Sequence, residues 1–454
     1  MIKKTICAIA AILFLCSVCL PVIAAEKETD FDVMSESALL INTDTDTVMY
    51  EKNIDKKQPT IAFNKIVTAA IAIEETDDID MTVLTVSKNA VTSASLGGYG
   101  SGIEEGERFT MRDMLSSILI SSANDCCIVI AEHIASSEEA FVEKMNDFAK
   151  RLGCTDTNFT DVHGVDDEGQ FTTCSDMRKI IEYARTLPNF YDISCQTSYE
   201  IPAADNQKER KIKTNISMML KSTDYSYSPV RGIKYGYSPS KGRNFASTAT
   251  RSGYNYMLIT MNGPIKDENG ERLEDNSAFL DAKNLYTWAF DNFRIKQILS
   301  ETVPITEVEV KYSLDANKVQ AVPEASITAI VPKNINTNEI NQSGDLEYVF
   351  DLPESLTAPV KKGQVLGTLT VKYRDRTLGE VSLLAGQSLN KSEYIYVLEV
   401  IRGIVSQTWF KIAAIVIAGL IVIYITIAII SNFIRTSRNK LRREQEEQNR
   451  RNKK

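Results

Sequence analysis

The sequence predicts an α/β domain, then a small all-β domain, then one C-terminal transmembrane helix. Three observations carry this. Within residues 26–300, strand-like patterns stand near both ends with helical ones between, so one sheet must join distant parts of the chain. After Pro304 the helical pattern gives way to short strands separated by polar turns. From Ile412 to Ile434 no charged residue occurs, and about 23 residues rising about 1.5 Å each suffice to cross a bilayer core.

Taken in order, Lys3 and Lys4 precede an apolar run from Ile6 to Ile23, closed by Ala24-Ala25 before Glu26. This is the basic, apolar and small-residue pattern of a secretory signal peptide, residues 1–25, with a retained signal anchor as the alternative. Cys16 and Cys19 follow the bulky Leu15 and Val18, which argues against lipidation. Residues 37–51 read as a hairpin around Thr43-Asp44-Thr45-Asp46, and residues 65–74 as an apolar helix. Residues 111–120 and 125–134 are helical and flank Ser121-Ser122-Ala123-Asn124. Residues 139–152 are amphipathic, and 174–185 form a helix capped by Ser175 or Thr173. Strands return at 233–237, 246–250 and 256–261, and a last helix covers 280–293. Residues 304–387 then hold short strands at 308–312, 326–331, 348–351, 365–373 and 378–384, a small β-sandwich. A linker, 388–409, leads to the membrane helix, 410–434, with Trp409 and Phe410 suited to one interface. Arg435, Arg438, Lys440, Arg442 and Arg443 begin a basic tail, 435–454, expected on the cytoplasmic side.

The net charge of the whole chain is −9, but signal and tail are both cationic, leaving about −17 on the intervening segment. That excludes nucleic acid and anionic lipid as its natural partners. The basic tail reads as a topology signal, with anionic-lipid binding as a second possibility. With only His133 and His163 as histidines, a histidine-rich metal site is excluded. Cys126, Cys127, Cys154, Cys174 and Cys195 remain outside the signal, and their spacing leaves disulfides and free thiols both open.

The chemistry-bearing segments follow one another in a fixed order. Pro59 and Lys65-Ile66-Val67-Thr68 frame a stretch in which a Ser-x-x-Lys motif would put serine at position 62; the residue there is Ala62. Glu105-Gly106-Glu107-Arg108 leads through Met111-Arg112-Asp113-Met114-Leu115 to Ser122-Ala123-Asn124-Asp125, a Ser-x-Asn motif. His163-Gly164-Val165 precedes Phe171-Thr172-Thr173, and Gly232-Ile233-Lys234-Tyr235-Gly236-Tyr237 occupies a strand where Lys-Thr-Gly would stand. Ala358-Pro359-Val360-Lys361-Lys362-Gly363 and Gly367 follow in the β domain. On these segments, from Ser35 to Gly386, the chain resembles the D-alanyl-D-alanine carboxypeptidases, the low-molecular-mass penicillin-binding proteins.

The resemblance implies a DD-peptidase/β-lactamase-like domain, an antiparallel sheet with helices, and a serine acyl-transfer mechanism without cofactor. It casts Lys65 as activating base, Lys234 as the second cation, Ser122 as proton relay and Asn124 as substrate-orienting amide. It places the oxyanion hole at the backbone N–H groups of Ala62 and Tyr237. Substrate binding would involve Tyr235, Gly236 and Tyr237. Tyr235 stands for a carboxylate-holding threonine, with its ring expected along the peptide path. Asn255 stands where an arginine is expected, with Arg251 as a substitute. Asn64 replaces a threonine.

With the nucleophile absent at Ala62, the reading favours a membrane-anchored extracytoplasmic pseudoenzyme binding peptidoglycan stem peptides or a cell-wall protein. The alternative is an active carboxypeptidase with a relocated nucleophile such as Ser122. A third reading is a structural ectodomain with a vestigial cleft. Ser238-Pro239-Ser240-Lys241 matches Ser-x-x-Lys formally but reads as a turn. Cys126 and Cys127 read as packing residues, and His163 as a turn residue.

Overall fold

A computed structural model describes residues 29–97, 100–165, 169–204, 207–220, 224–335, 346–373 and 376–451. The expected signal peptide lies outside the described residues. The chain divides into two compact units. The first is Met1–Ile298 with Ile327–Tyr348 and Val371–Gly379, and the second Leu299–Ser326, Val349–Thr370 and Glu380–Lys454.

In the first unit, β1 (Ser37–Asn42) and β2 (Thr47–Lys52) form the expected hairpin. They join β7 (Val230–Ser238), β8 (Gly242–Arg251) and β9 (Tyr254–Gly263) in one antiparallel sheet, order β2-β1-β9-β8-β7. The distant ends of the domain therefore meet at the β1–β9 ladder, and β7 is left as an edge strand. Two apolar cores lie on the two faces. One contains α1 (Asn64–Glu74), in which every residue but Glu74 is buried, as expected of a helix apolar on all sides. The other is built on α9 (Ser277–Asn292), started by the Asn276 side chain, which accepts from the Phe279 N–H.

Between them, α3 (Met111–Ser116) begins with a reciprocal Thr110/Asp113 capping box. It runs directly into a π-helical turn, Ser117–Ser121, and α4 (Asn124–Ala135) follows. Of the two caps weighed for α6 (Cys174–Thr186), Thr173 takes the role, its hydroxyl accepting from Asp176 N at 3.0 Å. A separate hairpin, β5 (Ser198–Ile201) with β6 (Arg210–Lys213), lies outside the main sheet. All five cysteines outside the signal are free thiols.

The second unit is mostly β. Strand β11 (Thr306–Lys311) pairs antiparallel with β12 (Lys318–Pro323) and parallel with β15 (Ser355–Thr357). Strand β12 pairs with β17 (Arg376–Ala385). The segment expected as a linker is largely the helix Glu393–Ser406, opened by a Ser392 hydroxyl cap. Its charged residues are Glu393, the first of the helix, and Glu399 and Arg402, which are three apart and share one side. The helix Thr408–Arg451 follows, and within it Thr408–Asn449 is long and apolar enough to cross a membrane.

Candidate active site

Four pieces of the first unit converge around Ala62. It lies in a turn just before α1, which begins at Asn64, so Lys65 sits in the first helical turn with its N–H on the Ala62 carbonyl at 3.2 Å. Ile61, a β-branched residue, holds φ +36°, a strained conformation for such a side chain. That strain persists because the turn is gripped from two sides. A Cβ placed on Gly236 of β7 would come within 2.7 Å of the Ala62 Cβ, and one on Gly164 within 2.8 Å of the Ala62 nitrogen. Only glycine permits either approach. Position 62 is thus a methyl group pressed against the edge strand.

Lys65 is buried and donates its ammonium to the His163 carbonyl. The loop carrying that carbonyl is folded by Asp161. Its Oδ1 accepts from His163 N at 2.8 Å and from Gly164 N at 2.5 Å, while Oδ2 accepts from Gln170 Nε2 at 2.8 Å. Asn64 ties the loop to α1, donating to the Asp161 carbonyl at 2.8 Å and to Gln170 Oε1 at 2.7 Å. Burial pushes the Asp161 carboxyl up, but hydrogen bonds and charge from His163, with Gly164, outweigh it and hold the group at about 2. Asp161→Ala leaves these donors without their acceptor. It should cost about 2–4 kcal/mol in denaturant unfolding; a loss under about 0.5 kcal/mol would mean the loop holds without it.

Lys234 is fully buried and bonds the Ile118 and Leu119 carbonyls of the π turn at 2.6 and 3.2 Å. Burial lowers both lysines; for Lys234 the neighbouring Lys65 cation adds to it. The unfolded chain then binds more protons than the folded one between the lowered values and the ordinary 10.5, so stability rises with pH across that window. Lys234→Met removes one contributor. The stability advantage of the wild type over this variant should widen from pH 7 toward pH 10 in paired denaturant titrations. An advantage that stays flat or narrows would contradict the burial of the amine.

The strand itself explains where its side chains point. A bulge between Gly232 and Lys234 resets the alternation. Lys234 then faces the π turn and Gly236 faces Ala62, while Tyr235 faces the opposite core. The Tyr235 ring packs on Phe279 at 4.8 Å and Phe245 at 6.2 Å, and its hydroxyl accepts from Asn276 Nδ2 at 3.0 Å. The expectation of a bulky ring along the peptide path is therefore corrected: the ring is on the far face of the sheet. The outer edge of β7 is covered at Gly232, whose carbonyl accepts from the Cys195 thiol at 3.2 Å, and at Tyr235, whose carbonyl accepts from Asn215 Nδ2 at 3.1 Å. Tyr237, two residues on and 44% exposed, lies beyond that cover.

Ser122 closes the π turn with φ +75°, its N–H on the Ser117 carbonyl, and Asn124 opens α4, buried. Arg251 and Asn255 are not part of this group. They sit at the β8–β9 turn, while Gly236 pairs with Asn244, about seven residues or roughly 23 Å along the strand from Arg251. Arg251 pairs with Asp291 over the Phe290 ring, and Asn255 bonds Asp44 at 2.7 Å. The arginine at the near end is Arg243, opposite Tyr237 in register, with its guanidinium 5.7 Å from that ring. Strand pairing, which the sequence alone leaves open, is the signal that would have found it. Ser238–Lys241 is a turn, with Ser238 Oγ accepting from Lys241 N at 3.2 Å.

A family model described as D-alanyl-D-alanine carboxypeptidase matches residues 23–264, and one for the penicillin-binding protein 5 C-terminal domain matches residues 293–391. The chain is 27% identical over 370 residues to D-alanyl-D-alanine carboxypeptidase DacF of Bacillus subtilis, covering 81% of this chain and 89% of that one. It is 26% identical over 381 residues to DacC of Escherichia coli, covering 82% and 88%. Among solved structures, D-alanyl-D-alanine carboxypeptidase DacD of Francisella tularensis superposes with a TM-score of 0.61 at 19% identity, over 84% of this chain and 98% of that one. Penicillin-binding protein 5 of Haemophilus influenzae gives 0.56 at 22%, over 80% and 99%. At these identities the structural likeness speaks for the fold alone.

Proposed function

The chain belongs to the D-alanyl-D-alanine carboxypeptidase family, and from that premise we propose that it binds D-Ala-D-Ala-ended stem peptides of peptidoglycan without turning them over. The observation that carries this is Ala62: the position gripped by Gly236 and Gly164 beside Lys65 presents a methyl group, with no hydroxyl to attack a carbonyl. In this reading the N–H groups of Ala62 and Tyr237 receive the peptide carbonyl. Asn124 orients the peptide, Gly236 keeps its path open, and Ser122 and Lys234 line the polar side. Lys65 and Lys234 persist as structural amines anchoring the loop and the π turn. Tyr235 and Arg251 have no direct part.

The matched segments support the proposed division into a peptidase-like domain, 26–300, and a β domain, 304–387. The apolar helix supports a single-pass anchor with the domains outside and the basic tail inside. A cell-wall protein docking at the same cleft is the alternative occupant.

The test is fluorescent penicillin labelling of the full-length protein. The wild type should show no covalent adduct, while a D-Ala-D-Ala peptide binds reversibly and Lys234→Met weakens it at least about tenfold. Covalent labelling that disappears in Ser122→Ala would overturn the proposal and identify Ser122 as a relocated nucleophile. Absence of both labelling and binding would leave the cleft without a ligand and refute the binding role.

A further inference from the structure

The helix Thr408–Arg451 runs on past the apolar stretch that ends at Ile434, beyond the segments that either family model matches. At about 1.5 Å per residue, Arg435 to Arg451 carry it about 25 Å further. Its first turns past the apolar stretch hold Arg435, Arg438, Lys440, Arg442 and Arg443, all exposed.

Membrane orientation depends on how many such cations stand near the end of a span, not on which side of the helix they take. Here three of them take one side. With about 100° between successive residues, Arg435, Arg438 and Arg442 fall within a sector of about 60°. Ile427, Ile430 and Ile434 continue that side into the apolar stretch, and the six residues line one concave surface.

Compensation divides the cations further. Lys440, Arg442 and Arg443 each have a glutamate four residues on, Glu444, Glu446 and Glu447, at the spacing of an i,i+4 ion pair. Arg435 and Arg438 have no acidic residue within four positions on either side. They neighbour each other at i,i+3, and Arg438 neighbours Arg442 at i,i+4, spacings of about 5–6 Å at which like charges repel. An anion seated between them turns that repulsion into attraction, and guanidinium groups suit a phosphate by geometry as well as charge.

We infer that this face binds an anionic glycerophospholipid, with its phosphate between Arg435 and Arg438 and one acyl chain along Ile427, Ile430 and Ile434. The inference rests on the single-pass reading above. The cationic and apolar halves of the face then meet the two halves of one molecule. A zwitterionic lipid brings a cation beside its phosphate and forfeits part of the attraction. A second copy in the same bilayer lies parallel and sets one basic turn against another. A soluble acidic segment leaves the isoleucines unmatched.

The test is native mass spectrometry of the full-length protein in detergent, titrated with phosphatidylglycerol or with phosphatidylcholine of the same chains. Phosphatidylglycerol should bind at least about tenfold more tightly. A fourfold variant, Arg435→Thr, Thr436→Arg, Ser437→Arg and Arg438→Ser, moves two cations by about 100° each round the helix and leaves composition and charge unchanged. Its preference should fall to about twofold or less, with resistance to alkaline extraction from membranes as in the wild type. If that variant does not insert, Arg438→Gln decides, with an expected loss of at least about threefold in preference. A preference that survives these changes assigns the contact to bulk charge and overturns the site, as does equal binding of the two lipids. Dimers in place of lipid adducts would give the face to a second copy and overturn it too. Alkaline extraction of the wild type would remove the single-pass reading together with this inference, whereas loss of the lipid preference alone leaves that reading standing.

Discussion

Ala62→Ser alone should convert the protein into one that is covalently labelled by fluorescent penicillin. The change adds one oxygen to a side chain already in place: Ala62 lies against Gly236, one turn before the buried Lys65. Loss of a serine nucleophile costs about six orders of magnitude in related chemistry, so even partial recovery should raise the acylation rate at least about a thousandfold. Adding Lys65→Ala to the serine variant should remove the labelling, since the hydroxyl then has no base. A folded Ala62→Ser protein that stays unlabelled would place the loss of reactivity elsewhere than at position 62.

Tyr235→Thr, which restores the family residue by sequence, should instead damage the protein. The ring belongs to the core under α9, with Phe279 and Phe245 against it and Asn276 on its hydroxyl. Trading it for threonine opens a cavity and strands the Asn276 amide, at a cost of about 2–4 kcal/mol. That corresponds to a melting temperature roughly 5–12 °C lower for a domain of this size. Tyr235→Phe, which keeps the packing, should cost only about 1 kcal/mol. In the Ala62→Ser background, Tyr235→Thr should bring no further labelling. A stable Tyr235→Thr protein with faster labelling would mean that the ring does obstruct the cleft.

Much of the fold is legible in the residues. The apolar run of α1, the β1–β2 turn and the late strands announce a sheet that closes between chain ends, because apolar periodicity is a local property. The motif order brings Ala62, Lys65 and Lys234 to one place. Facing and register are what the sequence does not display. One bulged residue in β7 decides which face of the sheet Lys234 takes and which Tyr235 takes, and nothing in Gly232-Ile233-Lys234 marks it. Arg251 is near Asn255 in sequence and so offers itself as the substitute arginine, yet as the last residue of the ten-residue β8 it lies at the end away from Asn244. Asp161 carries no sequence signal because three of its donors are the backbone N–H groups of His163, Gly164 and Val165, which have no signature in side-chain chemistry. The helix Glu393–Ser406 is nearly all apolar and its three charged residues do not mark out one face, so periodicity alone does not set it apart.

The covered edge of β7 has a consequence for what can dock there. An unprotected edge strand accepts any extended chain, in several registers, along its whole length. Here Asn215 and Cys195 already occupy the carbonyls of Tyr235 and Gly232, so among the described residues a guest strand meets its uncovered stretch of edge toward Tyr237. Such a short landing cannot hold the middle of a polypeptide, which would need several consecutive rungs. It works as a stop, favouring a molecule that presents its terminus and ends there.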